Sequence, residues 1–268
     1  MKFVIDSLSE YFISQNRTEI DQHGPKESFW ATESETPLFD LYHKFIGTPF
    51  TNPMNVERLN IFTSGKKIEE VYVDALDKMG ILLDKQVRID MEREGIRVTG
   101  YMDAMLKPDG GIPFEVKTYY GDYQEMELDK GKYRSSYAKQ LRIYMDFANK
   151  SRGILFYVNR ATGKLHEFEI SRDEIDITPV YQRWAKLHKE HIVPKIEPKS
   201  EFRYKIPVQE VDWKAISTRE RNKVLRGEKV IGDSWEVAYS PYKNLIIERE
   251  GSTLGYSDEE IQYIKSKI

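Results

Sequence analysis

The segment 97–118 constrains the fold of this chain more than any other. Residues 97–106 are rich in apolar and β-branched side chains, and 112–118 form a second run of this kind. Between them, 108–111 read Pro-Asp-Gly-Gly, a combination that is typical of a tight turn. The pattern therefore predicts a β-hairpin, which needs further strands or helices to cover its apolar face.

Three charged side chains are expected to meet at one end of this hairpin. Side chains at i and i+2 of a strand share a face, so Glu115 and Lys117 point the same way, and the partner strand carries Asp103. Paired carboxylates hold a hard divalent cation, and a lysine beside them can help to deprotonate a water or stabilise charge on a phosphate. The hairpin thus predicts a metal-dependent hydrolase site, with an ordinary solvated strand face as the alternative.

Composition excludes some classes of site. The 268 residues suit one large domain, or one domain with a smaller lobe, and the formal net charge of −3 points to no partner. With no cysteine there is neither a disulfide nor a thiolate metal site. No apolar run reaches the roughly 18 residues of a membrane span, and the first residues lack a signal-peptide core. We therefore expect an intracellular, cytoplasmic protein without a membrane partner.

The periodicity along the chain predicts an α/β fold, with a mixed central sheet flanked by helices and with helical N- and C-terminal additions. Predicted helices lie at 3–14, 36–46, 60–79, 133–150 and 173–192, and predicted strands at 81–91, 97–106, 112–118, 153–159 and 164–170. The polar segment 119–132 is expected to be a mobile connection, and the tail to form helical pieces. The predicted division is an N-terminal segment 1–55, a core 56–195 and a C-terminal segment 196–268 packed on that core.

A basic segment follows the hairpin. Residues 130–152 contain a single acidic residue, Asp146, among many lysines and arginines, with tyrosines between them. Basic side chains neutralise phosphates and tyrosines stack on unpaired bases, which indicates a DNA-binding helix. The candidate DNA contacts are Lys132, Tyr133, Arg134, Tyr137, Lys139 and Arg142. The alternative is an amphipathic core helix with a solvated basic face.

Four short motifs follow one another along the chain. They are Gly65-Lys66-Lys67-Ile68-Glu69, Gly100-Tyr101-Met102-Asp103, Glu115-Val116-Lys117 and Gln140-Leu141-Arg142-Ile143-Tyr144. In this order they resemble the signatures of the RecB-like branch of the PD-(D/E)xK nuclease superfamily. The resemblance covers roughly residues 29–250 and implies a restriction-endonuclease-like core that hydrolyses phosphodiester bonds.

The resemblance also implies roles for individual residues. It implies an Mg²⁺ or Mn²⁺ site made by Glu69, Asp103, Glu115 and the carbonyl oxygen of Val116. It implies a catalytic group of Asp103, Glu115, Lys117, Gln140 and Tyr144. In this group Lys117 orients or activates water or stabilises charge, Gln140 orients the nucleophile side or the lysine, and Tyr144 contacts the strand backbone.

The first motif departs from the family pattern. Many members have a histidine where this chain has Glu69, and the adjacent Glu70 is a competing candidate. A carboxylate in this place favours hard cations such as Mg²⁺ and Mn²⁺. The alternative for both glutamates is an exposed helix face.

A second departure concerns the iron–sulfur members of the branch, which include CRISPR-associated exonucleases. The segment 235–246 resembles their C-terminal cysteine region, with Val237, Ser240 and Ile246 at the cysteine positions and Pro37 at the upstream one. Without cysteines no iron–sulfur cluster can form. We expect apolar packing of Val237 and Ile246 in its place, in a cluster-free, phage-like or prokaryotic relative.

The sequence therefore predicts a metal-dependent exonuclease acting on single-stranded DNA or DNA ends in replication, recombination or repair. DNA is the expected partner, together with replication or recombination proteins. One alternative is a non-catalytic DNA-binding module that keeps the nuclease fold. Another is an unrelated metal hydrolase that acts on a small phosphate.

Overall fold

A computed structural model describes residues 3–22 and 24–268, with side chains for 4–16 and 24–268. The chain forms two compact units. The first contains the described residues up to Glu35 together with Asn55–Pro194, and the second contains Thr36–Met54 together with Lys195–Ile268. The predicted N-terminal segment 1–55 is thus divided between the two units.

The first unit is built on a mixed sheet, as the sequence predicted, and this sheet has six strands because the unpredicted segment Phe29–Trp30 joins the five expected ones. Its strands are β1 (Phe29–Trp30), β2 (Leu82–Arg93), β3 (Ile96–Leu106), β4 (Ile112–Tyr119), β5 (Arg152–Asn159) and β6 (Leu165–Ser171). The path runs β1-β3-β4-β5-β6, and β2 pairs with β3 outside that path. The pairs β1–β3 and β4–β5 are parallel, and the other pairs are antiparallel.

The first unit also contains helices. They are α1 (Phe3–Gln22), α3 (Val56–Lys78), α4 (Asp122–Asp129), α5 (Ser135–Ala148) and α6 (Thr178–Leu187). Helix α3 begins where the side chain of Asn55 accepts a hydrogen bond from the Arg58 N–H at 3.0 Å. None of the helices in residues 3–22 and 24–268 is long and apolar enough to cross a membrane.

Strand β4 separates two apolar layers because its side chains alternate between the faces of the sheet. Phe114 and Val116 are buried in the layer to which α3 contributes Val73. Tyr119 is buried in the layer to which α5 contributes Leu141. The side chains of β4 at odd-numbered positions therefore point toward α5.

Strands β3 and β4 pair only over a short length. Their ladder runs from Leu106–Ile112 to Ala104–Phe114. Beyond it β4 continues beside β5, while β3 is joined by β1 at Val98 and Thr99. The two strands thus separate at Asp103 and Glu115, and we call this place the fork.

Two sequence predictions in this unit are wrong in detail. The polar segment 119–132 contains α4, since Leu128 is buried and Glu125 accepts hydrogen bonds from Asn159 at 2.6 Å and from Lys164 at 3.1 Å. The predicted helix 173–192 begins only at Thr178, where Pro179 occupies the first turn and needs no N–H partner. It continues as a π-helical turn over His188–Ile192.

The regular secondary structure of the second unit consists of short helices joined by loops, as predicted for the tail. It contains α2 (Leu38–Phe45), α7 (Thr218–Leu225), α8 (Trp235–Tyr239), α9 (Lys243–Arg249) and α10 (Asp258–Lys265). Val237 and Ile246 are buried in one apolar cluster with Phe39, so the expected packing of these two side chains is confirmed. Ser240 differs, because its hydroxyl donates to the buried carboxylate of Asp40 at 2.7 Å.

Candidate active site

The centre of the candidate site is the buried carboxylate of Glu115, which is 1% exposed. Lys117 lies two residues further along β4, and its Nζ donates to Glu115 Oε1 at 2.5 Å. This contact confirms that the two side chains share a face of the strand. Because Glu115 is deeply buried, its interaction with the lysine is little screened by solvent.

Asp103 stands at the fork, on the strand opposite Glu115. Its Oδ2 accepts a hydrogen bond from the Val116 N–H at 2.7 Å. Since β3 and β4 separate here, the carboxylate occupies the place of a ladder partner for that N–H. The fork therefore brings two buried carboxylates and one lysine together, as the sequence predicted.

Helix α5 adds an amide and a phenol to the group. Gln140 Nε2 donates to Glu115 Oε1 at 2.6 Å and to the Tyr144 hydroxyl oxygen at 2.7 Å. The Tyr144 O–H donates in turn to the Tyr101 carbonyl oxygen at 2.9 Å. Gln140 and Tyr144 are buried, so this chain of hydrogen bonds ties α5 to β4 and β3.

The two oxygens of Glu115 have different surroundings. Oε1 accepts from Lys117 and from Gln140. Oε2 is buried and has no hydrogen-bond partner among the described residues. A buried carboxylate oxygen without a donor is costly, and a divalent cation would satisfy it. The donor set of Asp103 and Glu115 fits a hard cation such as Mg²⁺ or Mn²⁺.

The electrostatics of the site show an excess of negative charge. Burial raises the pKa of Asp103 well above its ordinary value, and the neighbouring Glu115 raises it further. Burial also raises the pKa of Glu115, against the opposing effect of Lys117. Burial acts to lower the pKa of Lys117, but Glu115 and Asp103 outweigh it, so the pKa rises and the lysine is protonated at neutral pH.

Glu69 lies on α3 close enough for its charge to raise the pKa of both Asp103 and Glu115. Its Oε1 accepts a hydrogen bond from Gln86 Nε2 at 3.0 Å. The competing Glu70 is exposed and pairs with Lys67 at 2.6 Å, which favours Glu69 over Glu70.

The carboxylates of the candidate site do not form a complete set of three metal ligands. In the part of the chain that the structure describes, no group of three His, Cys, Asp or Glu side chains has the spacing to hold a metal ion. The predicted set of Glu69, Asp103 and Glu115 is therefore a neighbourhood of carboxylates, of which two are buried at the fork. Val116 contributes its N–H to Asp103, and the role of its carbonyl oxygen stays a prediction.

At two positions of the motifs, close packing explains why the residue is glycine. A Cβ at Gly65 of α3 would lie 3.2 Å from the Thr118 hydroxyl oxygen, so the glycine allows the helix to approach β4 closely. A Cβ at Gly100 would lie 3.4 Å from the Ala31 Cβ and 3.5 Å from the Tyr144 ring. Both glycines thus stand where a neighbouring element comes close to the backbone.

The basic segment is much less basic in three dimensions than in the sequence. Lys132 pairs with Glu127 at 3.2 Å, and Lys139 pairs with Glu35 at 2.8 Å. Arg142 is buried, and its Nε donates to the Arg172 carbonyl oxygen at 3.0 Å. This placement argues against the predicted phosphate contact of Arg142 and gives it a packing role.

The other predicted DNA contacts lie near the first turn of α5. Lys117 Nζ lies 5.0 Å from the centre of the Tyr137 ring, and the guanidinium of Arg134, which precedes α5, lies 5.7 Å from the same ring. Tyr133 is half-buried against Phe168, with ring centres 5.4 Å apart. Of the predicted contacts, Tyr137 therefore lies beside the lysine of the fork, and Arg134 lies beside Tyr137.

Sequence reasoning missed Gln86, which has no place in the four motifs. The sequence around Gln86 does not indicate a functional role, because its hydrogen bond to Glu69 joins two different elements, β2 and α3. Its backbone does carry a signal in the structure, since Gln86 has a φ of 50° and is not glycine.

The fold resembles solved structures. The crystal structure of SSO0001 has a TM-score of 0.52 and 15% identity, and the match covers 88% of this chain and 94% of that one. An alkaline exonuclease from Laribacter hongkongensis, LHK-Exo, has a TM-score of 0.48 and 14% identity, covering 64% of this chain and 90% of that one. The complex of LHK-Exo with dAMP gives 0.47 and 13%, with the same coverage. Neither protein-family models nor curated protein sequences gave a match. The likeness to SSO0001 shows a shared mixed α/β fold.

Proposed function

We propose that this chain is a divalent-metal-dependent deoxyribonuclease that hydrolyses phosphodiester bonds, acting as an exonuclease on single-stranded DNA or DNA ends. The observation that carries the proposal is the buried Glu115, whose Oε1 has two donors and whose Oε2 has none among the described residues. The order of the four motifs supports the same activity.

The carboxylates would hold the cation. Asp103 and Glu115 offer buried oxygens at the fork, and Glu69 is the nearest further carboxylate on α3. A bound Mg²⁺ or Mn²⁺ supplies positive charge beside the scissile phosphate and makes a nearby water more acidic. Beside such a cation, Asp103 and Glu115 would both be ionised, because its charge would offset their mutual repulsion.

Lys117 would act on the developing charge. Because the neighbouring carboxylates raise the pKa of its ammonium group, Lys117 would donate a hydrogen bond to a phosphate oxygen. A fixed donor of this kind stabilises the transition state more than the ground state. Gln140 would hold Glu115 in place, because its amide donates to Oε1 while Tyr144 fixes the amide.

The experiment uses end-labelled single- and double-stranded DNA with Mg²⁺, with Mn²⁺ and with EDTA. We expect metal-dependent digestion, and a loss of roughly 10²–10³-fold in its rate for Lys117→Ala, by analogy with the loss of a fixed charge-stabilising donor. The matched control is Lys186→Ala, which removes an exposed lysine paired with Glu190. Equal digestion by wild type and Lys117→Ala would refute the assignment.

One observation favours the second candidate, a non-catalytic DNA-binding module. In residues 3–22 and 24–268, three ligating side chains do not converge on one point. If this holds in solution, the protein binds DNA in a salt-dependent manner and leaves it intact with either metal. The digestion assay, run beside a binding assay at two salt concentrations, separates the two functions.

A further inference from the structure

Gln86 occupies an unusual place in strand β2. Its φ of 50° lies in the left-handed region, which glycine adopts freely and which costs other residues about 1–2 kcal/mol. Such a conformation within a strand persists only where the surroundings hold it, and it often marks a functional site.

The register of the sheet places this residue beside the fork. The ladder between β2 and β3 passes from Lys85–Ala104 to Val87–Met102, so Gln86 stands across from Asp103. The backbone thus departs from the regular strand next to a carboxylate of the candidate site. This position is set by register alone and does not depend on the proposed chemistry.

The side chain of Gln86 forms a hydrogen bond with a second carboxylate, that of Glu69. Its Nε2 donates to Glu69 Oε1 at 3.0 Å, although the two residues lie on different elements. Glu69 is half-buried on α3, and Gln86 is exposed. Burial of the glutamine therefore does not explain the left-handed conformation, whereas the hydrogen bond gives the side chain a definite partner.

We propose that Gln86 is a positioning residue, whose amide holds the Glu69 carboxylate near the Asp103–Glu115 pair so that Glu69 joins these two side chains when a cation binds. The proposal rests on the proposed function. Hydrogen bonds of this kind orient metal ligands, and their loss typically lowers metal affinity by about 10–100-fold. Gln86 touches neither the substrate nor the cation.

The test is Gln86→Gly, because glycine accepts the left-handed backbone and removes the side chain together with its amide. The matched control is Glu94→Gly, since Glu94 is exposed, has the same φ of 50° and lies in the turn between β2 and β3. Calorimetric titration with Mn²⁺ alone measures affinity without any need for cleavage. We expect a loss of about 10-fold or more in Mn²⁺ affinity for Gln86→Gly, and none for Glu94→Gly.

A double variant shows whether Gln86 acts through Glu69. If it does, Gln86→Gly adds nothing to the loss of Mn²⁺ affinity already caused by Glu69→Gln. Wild-type affinity in Gln86→Gly, or additive losses in the double variant, would overturn the positioning role while leaving the nuclease proposal intact. A wild-type protein that binds no Mn²⁺ would overturn both.

Discussion

Helix α5 contributes to two buried networks that differ in their balance of charge. Through Gln140 and Tyr144 it meets Glu115 at the fork. Through Arg142 and Asp146 it forms a second network, and the two members of each pair stand four residues apart on the helix. The same helical spacing thus serves two networks.

The network of Asp146 is complete. Its carboxylate, which is 9% exposed, accepts from Arg142, from Arg172 at 2.7 Å and from the Tyr181 hydroxyl at 3.2 Å. Two arginines thus face one carboxylate, and both of its oxygens have donors.

The network of Glu115 is incomplete by comparison. Two buried carboxylates share one lysine, and Glu115 Oε2 has no donor among the described residues. The comparison teaches that burial of a carboxylate does not by itself mark a site. What distinguishes the fork is negative charge that the protein leaves uncompensated, a pattern more typical of sites than of ion pairs that serve stability.

The largest expected effect on stability concerns the complete network. Asp146→Ala leaves the buried Arg142 without its carboxylate, and we expect it to lower the free energy of unfolding by about 3 kcal/mol. Urea unfolding measures this loss. The dependence of cleavage on metal should not change, and a variant as stable as wild type would remove the contrast between the networks.

Metal binding should stabilise only the incomplete network. At a metal concentration of 100 times Kd, the free energy of unfolding rises by about 2.7 kcal/mol. Thermal unfolding with and without Mn²⁺ measures the shift. We expect Asp146→Ala to keep it and Glu115→Gln to lose it, so an equal shift in Glu115→Gln would place the cation elsewhere.

In the metal-free protein, the free energy of unfolding should depend on pH because of the buried Asp103 carboxylate. The pKa of Asp103 is raised above its ordinary 3.8, so the folded state binds its proton more tightly than the unfolded state. Stability from this group is therefore fully present below pH 3.8 and is lost as pH rises through the folded pKa. Asp103→Asn should remove that loss and become the more stable protein at neutral pH in EDTA. An unchanged pH profile would contradict the raised pKa.

The smallest effect compares one hydroxyl from each network. Tyr144→Phe removes the two hydrogen bonds of that hydroxyl, with Gln140 and with Tyr101, and Tyr181→Phe removes one, with Asp146. Each lost bond should cost about 1 kcal/mol. Only Tyr144→Phe should also slow cleavage, because Tyr144 holds the amide that binds Glu115. If both variants slow cleavage equally, the two networks are not independent.

Local patterns predicted much of this molecule. The alternation along β4 placed Glu115 beside Lys117, and the spacing of Gln140 and Tyr144 on α5 predicted a shared face, now seen as a hydrogen bond. These relations depend on the period of one element, which the sequence contains.

Relations between distant residues were not predictable in this way. The segment 130–152 looked basic because acidic residues that neutralise its lysines, Glu127 and Glu35, lie outside the segment in the sequence. Gln86 was missed because its bond to Glu69 depends on register and on a left-handed φ. Helix α4 was missed because its polar residues find partners only in the folded sheet.

The second unit is assembled from two stretches of chain, Thr36–Met54 and Lys195–Ile268. During synthesis from the N-terminus, the whole of Asn55–Pro194 leaves the ribosome between them. Phe39 and Asp40 therefore meet Val237 and Ser240, the partners that bury them, only after Asn55–Pro194 has been synthesised. The second unit can therefore fold only after its second stretch has been synthesised. A chain that ends before Lys195 would expose the apolar side chains of α2 to chaperones and proteases.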